Sequence, residues 1–395
     1  MSENNLNSAP VVIIGGGFAG FTTLLELTRR PDRPPIILID PQPRFTFLPL
    51  LYELLSGEVR AWEIAPSYQA LLAERGIVFI QESVERINTE KQIAITCSGK
   101  EINYSQAVIC TGSKSDDFGV PGVKEHALTF HSLKDVEVLK QVIKNFKYGD
   151  DIGKSLIIVG AGSSGIELAC KLSDLLGEHS HICLIESSER ILRNGKSFNQ
   201  EQCEKALKRR GIKVYLHTKV LSITASTVEL SSDIKQSSNT FHLPHGALIW
   251  TGGTTPVCPE LVPSVSLSNG SISIDSHLEA IGLNNVFALG DLAVNSGDSY
   301  PRNAQVAIQQ GKLAAMNVSA LRSEKPLMPF EYRDRGEMLS LGLGEATITG
   351  LGVTIAGPIA FQIRRMTYLS KLPSLFLGIR SAGAWLLRQN KECQS

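Results

Sequence analysis

A glycine pattern that occurs twice constrains this chain more than anything else in it. Val11–Ile14 reads as a buried strand, breaks into Gly15-Gly16-Gly17-Phe18-Ala19-Gly20, and passes into a helical stretch through Arg29. Ile36–Ile39 is the next strand and ends at Asp40. Ser155–Val159, the turn Gly160-Ala161-Gly162-Ser163-Ser164-Gly165, the helix Ile166–Leu176 and the strand Ile182–Ile185 ending at Glu186 repeat that order. Each copy is a βαβ unit with G-x-G-x-x-G between strand and helix and an acid closing the second strand. Gly15 allows the tight turn, Gly17 lets a pyrophosphate approach the backbone, and Gly20 lets helix and strand pack; Gly160, Gly162 and Gly165 repeat the set. The helix N-terminus favours the phosphates, and Asp40 or Glu186 is placed to accept a hydrogen bond from a ribose hydroxyl. Two such fingerprints predict an α/β chain with two Rossmann-like dinucleotide-binding domains.

Two fingerprints need two dinucleotides. The first of a pair is usually that of FAD, whose domain is interrupted by the NAD domain and then resumes. Val286–Leu289, a buried strand ending at Gly290-Asp291, marks the resumption, and Asp291 would bind the ribityl chain. The expected layout is 1–117 and 271–330 for FAD, 118–270 for NADH or NADPH, and 331–395 as a C-terminal membrane-associating region. A carboxylate at Glu186 pairs with a 2′-hydroxyl and repels a 2′-phosphate, which favours NADH. Arg190 and Arg193 follow closely and can carry a 2′-phosphate, so NADPH stays open. Ile93–Cys97 and Ile102–Ile109 read as strands, Ser132–Phe146 and Ala304–Leu321 as helices, and the polar run Ser231–Thr240 as a surface loop in a hairpin.

Composition removes several other classes. Lys+Arg 39 balances Asp+Glu 39, so no field or basic tract points to nucleic acid. The seven cysteines form no C-x-x-C or C-x4-C pair, which argues against a metal site and a redox-active dithiol. Met1–Pro10 lacks the apolar core of a secretory signal, and no apolar stretch is long enough to predict a spanning helix.

Beyond the fingerprints, Phe45-Thr46-Phe47-Leu48-Pro49-Leu50-Leu51-Tyr52, Gly160–Glu167 and Ala304-Gln305-Val306-Ala307-Ile308-Gln309-Gln310-Gly311 resemble segments of the type II NAD(P)H:quinone oxidoreductases. Arg335–Gly342 and the surroundings of Arg364-Arg365 resemble its demethylphylloquinone reductase branch of cyanobacteria and plastids. The resemblance implies a fold of the pyridine nucleotide-disulfide reductase type, with Pro49, Leu50, Thr111, Gly112 and Ala304 about the flavin. It implies that Glu167 lies near nicotinamide and flavin, and that Gln305 and Gln309, on one helix face, line the quinone side. It further implies hydride transfer from NAD(P)H to FAD, then two-electron reduction of a membrane quinone such as a phytyl-naphthoquinone, in a chain that can act as a homodimer. The alternative is a soluble reductase with a protein acceptor of the ferredoxin or rubredoxin type.

The tail carries Arg364, Arg365, Lys371, Arg380, Arg388 and Lys391 among Ile363, Met366, Tyr368, Leu369 and other apolar residues, against one acid, Glu392. Pro373 and Gly378 divide it into two short helices. Apolar residues interleaved with cations predict an amphipathic anchor, peripheral on the cytoplasmic side of a membrane: thylakoid or plasma membrane in a cyanobacterium. Removing the chain from Pro358 onward is expected to spare turnover of a water-soluble quinone.

Overall fold

A computed structural model describes residues 9–383 except 74, 180, 235–236, 296, 298–299 and 374–376. The tail residues Leu375, Phe376, Trp385, Leu386, Leu387, Arg388, Lys391, Glu392 and Cys393 lie outside the described residues. The chain forms two compact units.

The first unit comprises Met1–Phe45, Pro66–Lys114 and Thr254–Asp334. At its centre is a five-stranded parallel sheet in the order Val286–Ala288, Gln106–Ile109, Val11–Ile14, Ile36–Ile39, Val78–Ile80. Val11–Ile14 pairs on both sides and lies buried along its whole length, which is why it reads as an unbroken apolar run. The helices Phe18–Thr28 and Ala304–Arg322 pack on each other, and Gly311 permits this, because a Cβ there would strike the Ala19 carbonyl. Ile102–Ile109 is not one strand. Glu101–Asn103 belongs to a second sheet, and the chain turns at buried Tyr104 and Ser105 before Gln106–Ile109 joins the central one. A run of apolar residues carries no mark of a change of sheet.

The second unit comprises Thr46–Ala65, Ser115–Gly253 and Arg335–Ser395. Its parallel sheet runs Lys213–Tyr215, Ile182–Ile185, Leu156–Val159, Ala247–Trp250. A three-stranded antiparallel sheet of Thr218–Ile223, Thr227–Ile234 and Ser237–Pro244 packs against it through Val228, Leu230 and Trp250. The described residues of the polar run Ser231–Thr240, 231–234 and 237–240, are therefore strand: Ser231 pairs with Thr240 and Ser232 with Asn239. Ladder hydrogen bonds come from the backbone, and polar side chains do not prevent them. Leu133–Tyr148 is a helix whose capping box joins Ser132 and Asp135. Glu337–Ser340, Ala346–Gly350 and Val353–Gly357 form an antiparallel sheet, covered by the helix Pro358–Leu369; residues 377–383 are again helical. Among the described residues no helix is long and apolar enough to cross a membrane.

Candidate functional site

In the first cradle the three glycines have separate jobs. Gly15 has φ +99 and sits against the Cys110 carbonyl, and a Cβ at Gly20 would reach 2.6 Å from Cys110 Sγ. At Gly17 a Cβ would meet nothing within 4 Å, so that face is open at the first turn of the Phe18–Thr28 helix. Asp40 accepts from the Gly16 N–H at 2.6 Å and the Gln42 N–H at 2.7 Å. Burial pushes its pKa up, and those two donors oppose the shift. Tyr68 closes the turn from behind by donating its hydroxyl to Gly16 O at 2.8 Å. An open central glycine, a helix N-terminus and a strand-end acid tied to the turn together fit a dinucleotide pyrophosphate and ribose.

The other first-unit candidates gather at two places. Thr111 donates to Val257 O, and Gly112 has φ +71. Gly290 has φ +68, and Asp291 accepts from Ser113 Oγ at 2.6 Å. Asp291 sits inside a short turn, Gly290–Leu292, rather than capping a helix with its side chain. Ala304 opens the long helix, whose cap is Asn303, accepting from Val306 N–H at 2.9 Å. Gly290, Asp291, Asn303, Val306 and Gln310 border a cavity of about 270 Å³. Gln310 is a residue that sequence reasoning passed over: buried, it accepts from the Gly290 N–H at 2.7 Å. Gln305 and Gln309 are half-buried one turn apart. The Gln309 amide exchanges two 3.0 Å hydrogen bonds with the Arg333 backbone.

The second cradle repeats the geometry. Gly160 has φ +101 and presses on Thr251 and Gly252, Gly165 lies against Gly160, and Gly162 faces open space. Glu186 accepts from the Ala161 N–H at 2.7 Å and the Ser188 N–H at 2.8 Å. Leu192, at φ +46, donates its N–H to Ala161 O at 2.8 Å, so the loop carrying Arg190 and Arg193 folds back onto the turn. Both arginines are exposed.

Glu167 belongs to a buried ionic cluster. It lies in the first turns of the Ser163–Leu176 helix, yet it is almost fully buried and accepts from the Ser340 N–H at 2.7 Å. Arg364, wholly buried, is paired with Glu53, donates to Glu167 at 3.3 Å and to Pro49 O at 3.0 Å, and lies over the Tyr368 ring. One guanidinium thus stands between two carboxylates. The neighbouring pair is balanced: Lys171, one turn beyond Glu167, meets Glu58 at 2.5 Å. Burial pushes Glu167 up to about 7, against the pull of Arg364 and the Ser340 N–H. Leu50, beside Pro49, is fully buried. Glu53 went unnoticed in the sequence, although an acid inside Leu51-Tyr52-Glu53-Leu54-Leu55 was the signal available.

That cluster corrects two expectations about the tail. Arg364 does not offer its charge to lipid, because Glu53 and Glu167 hold it in the interior. Removing the chain from Pro358 would leave those two acids buried without their cation, so this segment belongs to the folded interior and is not a detachable anchor. The outer side of the same helix is different. Ile359, Ile363 and Met366 are exposed at i, i+4 and i+7, and Leu351 (87% exposed) and Val353 stand at the tip of the adjoining hairpin. Arg380 lies over the Trp62 ring at 4.3 Å. Among the described cysteines Cys110, Cys170, Cys183 and Cys203 are buried, Cys258 is half-buried and Cys97 is exposed.

The profile of the pyridine nucleotide-disulphide oxidoreductase family matches residues 9–311. A demethylphylloquinone reductase of Synechocystis is 37% identical over 398 residues, covering 95% of this chain and 97% of its own. The alternative NAD(P)H-ubiquinone oxidoreductase C1 of Arabidopsis thaliana is 33% identical, covering 92% of this chain and 78% of its own. Among solved structures, NDH2 from Plasmodium falciparum in complex with NADH aligns with a TM-score of 0.85 at 15% identity, over 96% of this chain and 98% of its own. The sulfide:quinone oxidoreductase of Aquifex aeolicus aligns at 0.77 and 20% identity, over 92% and 91%. The two structural likenesses speak to the fold alone.

Proposed function

The chain belongs to the pyridine nucleotide-disulphide oxidoreductase family, and from that premise we propose that it is a FAD-dependent NAD(P)H:quinone oxidoreductase. The observation that carries this reading is the pair of cradles, each with an open central glycine and an acid tied to its turn. We assign FAD to the first, held by the Gly15–Gly20 turn, Asp40 and the Gly290-Asp291 turn, and NADH or NADPH to the second. When bound, FAD supplies a two-electron relay between dihydronicotinamide and quinone. The Synechocystis and Arabidopsis relatives, named for demethylphylloquinone and ubiquinone, support a quinone as acceptor. A phytyl-naphthoquinone is the finer choice.

Reducing a quinone to a quinol with NADH consumes one proton from water beyond the hydride. Glu167 is suited to hold it: one cation is shared by two buried carboxylates, so the cluster lacks one positive charge. A proton on Glu167 neutralises it. Peripheral membrane attachment is supported by the apolar face of Leu351, Val353, Ile359, Ile363 and Met366. The purified protein should be yellow, release FAD on denaturation, and oxidise NADH with a short-chain naphthoquinone. A protein that takes up no FAD, or turns over only with a ferredoxin or rubredoxin, overturns the reading. Flotation with anionic liposomes, lost in Leu351→Asp, checks the attachment, and the mass of the detergent-solubilised protein checks for a homodimer.

A further inference from the structure

Phe118 combines features that seldom meet in one residue. Its φ of +50 is a left-handed conformation unusual for an aromatic side chain, and 63% of it is exposed. Its ring lies against Gly253, where a Cβ would come within 2.6 Å of the ring edge. Hydrogen bonds fix the loop in this posture. Asp116 N–H donates to Gly253 O at 3.0 Å, and Trp250 Nε1 donates to Asp116 O at 2.7 Å. The N–H groups of Phe118 and Gly119 donate to the Asp116 and Asp117 carboxylates at 2.9 and 2.8 Å. A strained backbone that presents an apolar ring to solvent is a cost the surrounding structure must over-determine, and such residues gather at ligand clamps.

The place of the ring beside the end of the parallel sheet indicates what it meets. Leu156–Val159 lies between Ile182–Ile185 on one side and Ala247–Trp250 on the other. A dinucleotide on this unit centres its pyrophosphate on the Gly160–Gly165 turn and sends its adenosine toward Glu186, at the end of Ile182–Ile185. Its other half therefore runs the opposite way, past the end of Ala247–Trp250 and over Thr251–Gly253. The turn and this loop share one floor, since a Cβ at Gly160 would lie 2.9–3.0 Å from Thr251 and Gly252. Phe118 stands at the far end of that floor.

We propose that Phe118 is the apolar wall against which the nicotinamide ring of NAD(P)H packs, held upright by the Asp116–Gly119 loop on the glycine pair Gly252-Gly253. The proposal rests on the reading that the second cradle takes NAD(P)H. Glu186 and the glycine turn grip the adenosine and phosphates, and Phe118 limits where the ring carrying the hydride can lie.

Calorimetric titration of the FAD-loaded protein with NAD+ and with ADP-ribose, which lacks only the nicotinamide, separates the two halves. Phe118→Ala should weaken NAD+ by about three- to tenfold and leave ADP-ribose within about twofold of wild type. Gly253→Ala, which displaces the ring without removing it, should give the same selective loss. Phe118→Tyr should restore NAD+ affinity, and Phe118→Leu replaces the alanine variant if that one does not fold. Unchanged NAD+ affinity in Phe118→Ala, or equal weakening of both ligands, overturns the proposal. Wild-type protein that binds neither ligand removes the NAD(P)H reading itself, a different failure from the first.

Discussion

The two cradles share a backbone plan and differ in what surrounds it. Behind the first stands an aromatic cluster: Phe18 and Phe21 meet Phe45, and Tyr68 meets Phe21 and Phe79. Tyr68 seals Gly16, and Asp40 is buried. Beside the second, the Trp250 ring lies against Gly252 and the exposed Phe118 ring against Gly253. Glu186 is half-exposed, and Ser163, Ser187 and Arg190 around it face solvent. A ligand enclosed in dry, rigid walls leaves slowly, whereas one on a solvated turn exchanges quickly. The difference fits a resident cofactor in the first cradle and a passing substrate in the second.

The sharpest way to break that comparison is to fill both open glycines in turn. Gly17→Val should give a colourless protein without FAD. Gly162→Val should stay yellow but raise KM for NADH at least about tenfold. A colourless Gly162→Val protein would exchange the two assignments.

Glu167→Gln should come next in size, lowering quinone turnover by about a hundredfold. It also has a signature in stability. A carboxyl whose folded pKa is raised binds more protons folded than unfolded, so its effect is to make stability fall as pH rises from its unfolded value toward about 7. Chemical denaturation across that window should show the fall in wild type and a flatter profile in Glu167→Gln. Identical profiles would mean that Glu167 is ionised throughout.

Smaller effects test each acid and the long helix. Glu186→Gln should shift relative kcat/KM toward NADPH by about tenfold, with FAD content unchanged; an unmoved ratio would give the choice to Arg190 or Arg193. Gln309→Leu removes two hydrogen bonds to the Arg333 backbone and should slow quinone reduction by about threefold. Stopped-flow traces should then show flavin reduction by NADH unchanged. Equal losses in both half-reactions would make Gln309 a support of the flavin.

Both cradles were legible in the sequence because each is a local object: strand, turn, helix and acid lie within about 30 residues and follow fixed spacings. The ionic cluster was not, since Arg364 meets Glu53 across 311 residues of chain and Glu167 across 197. No local pattern announces such a pairing, and an arginine in an apolar amphipathic helix reads equally well as a lipid contact. The sheet of Glu337–Gly357 escaped for a different reason. Its five glycines, four with positive φ and Gly350 pressed on neighbouring backbone, hide the alternation by which strands are recognised.

The buried arginine also sets a timetable for the growing chain. Glu53 leaves the ribosome early, whereas its cation follows 311 residues later, roughly 15–60 s behind at 5–20 residues per second. Until then the helices bearing Glu53 and Glu167 can close only over protonated or hydrated acids, so the second unit waits for the C-terminus before it can set. A message cut short between codons 322 and 364 would still encode both dinucleotide cradles but no finished interior, a product well suited to recognition by chaperones and proteases.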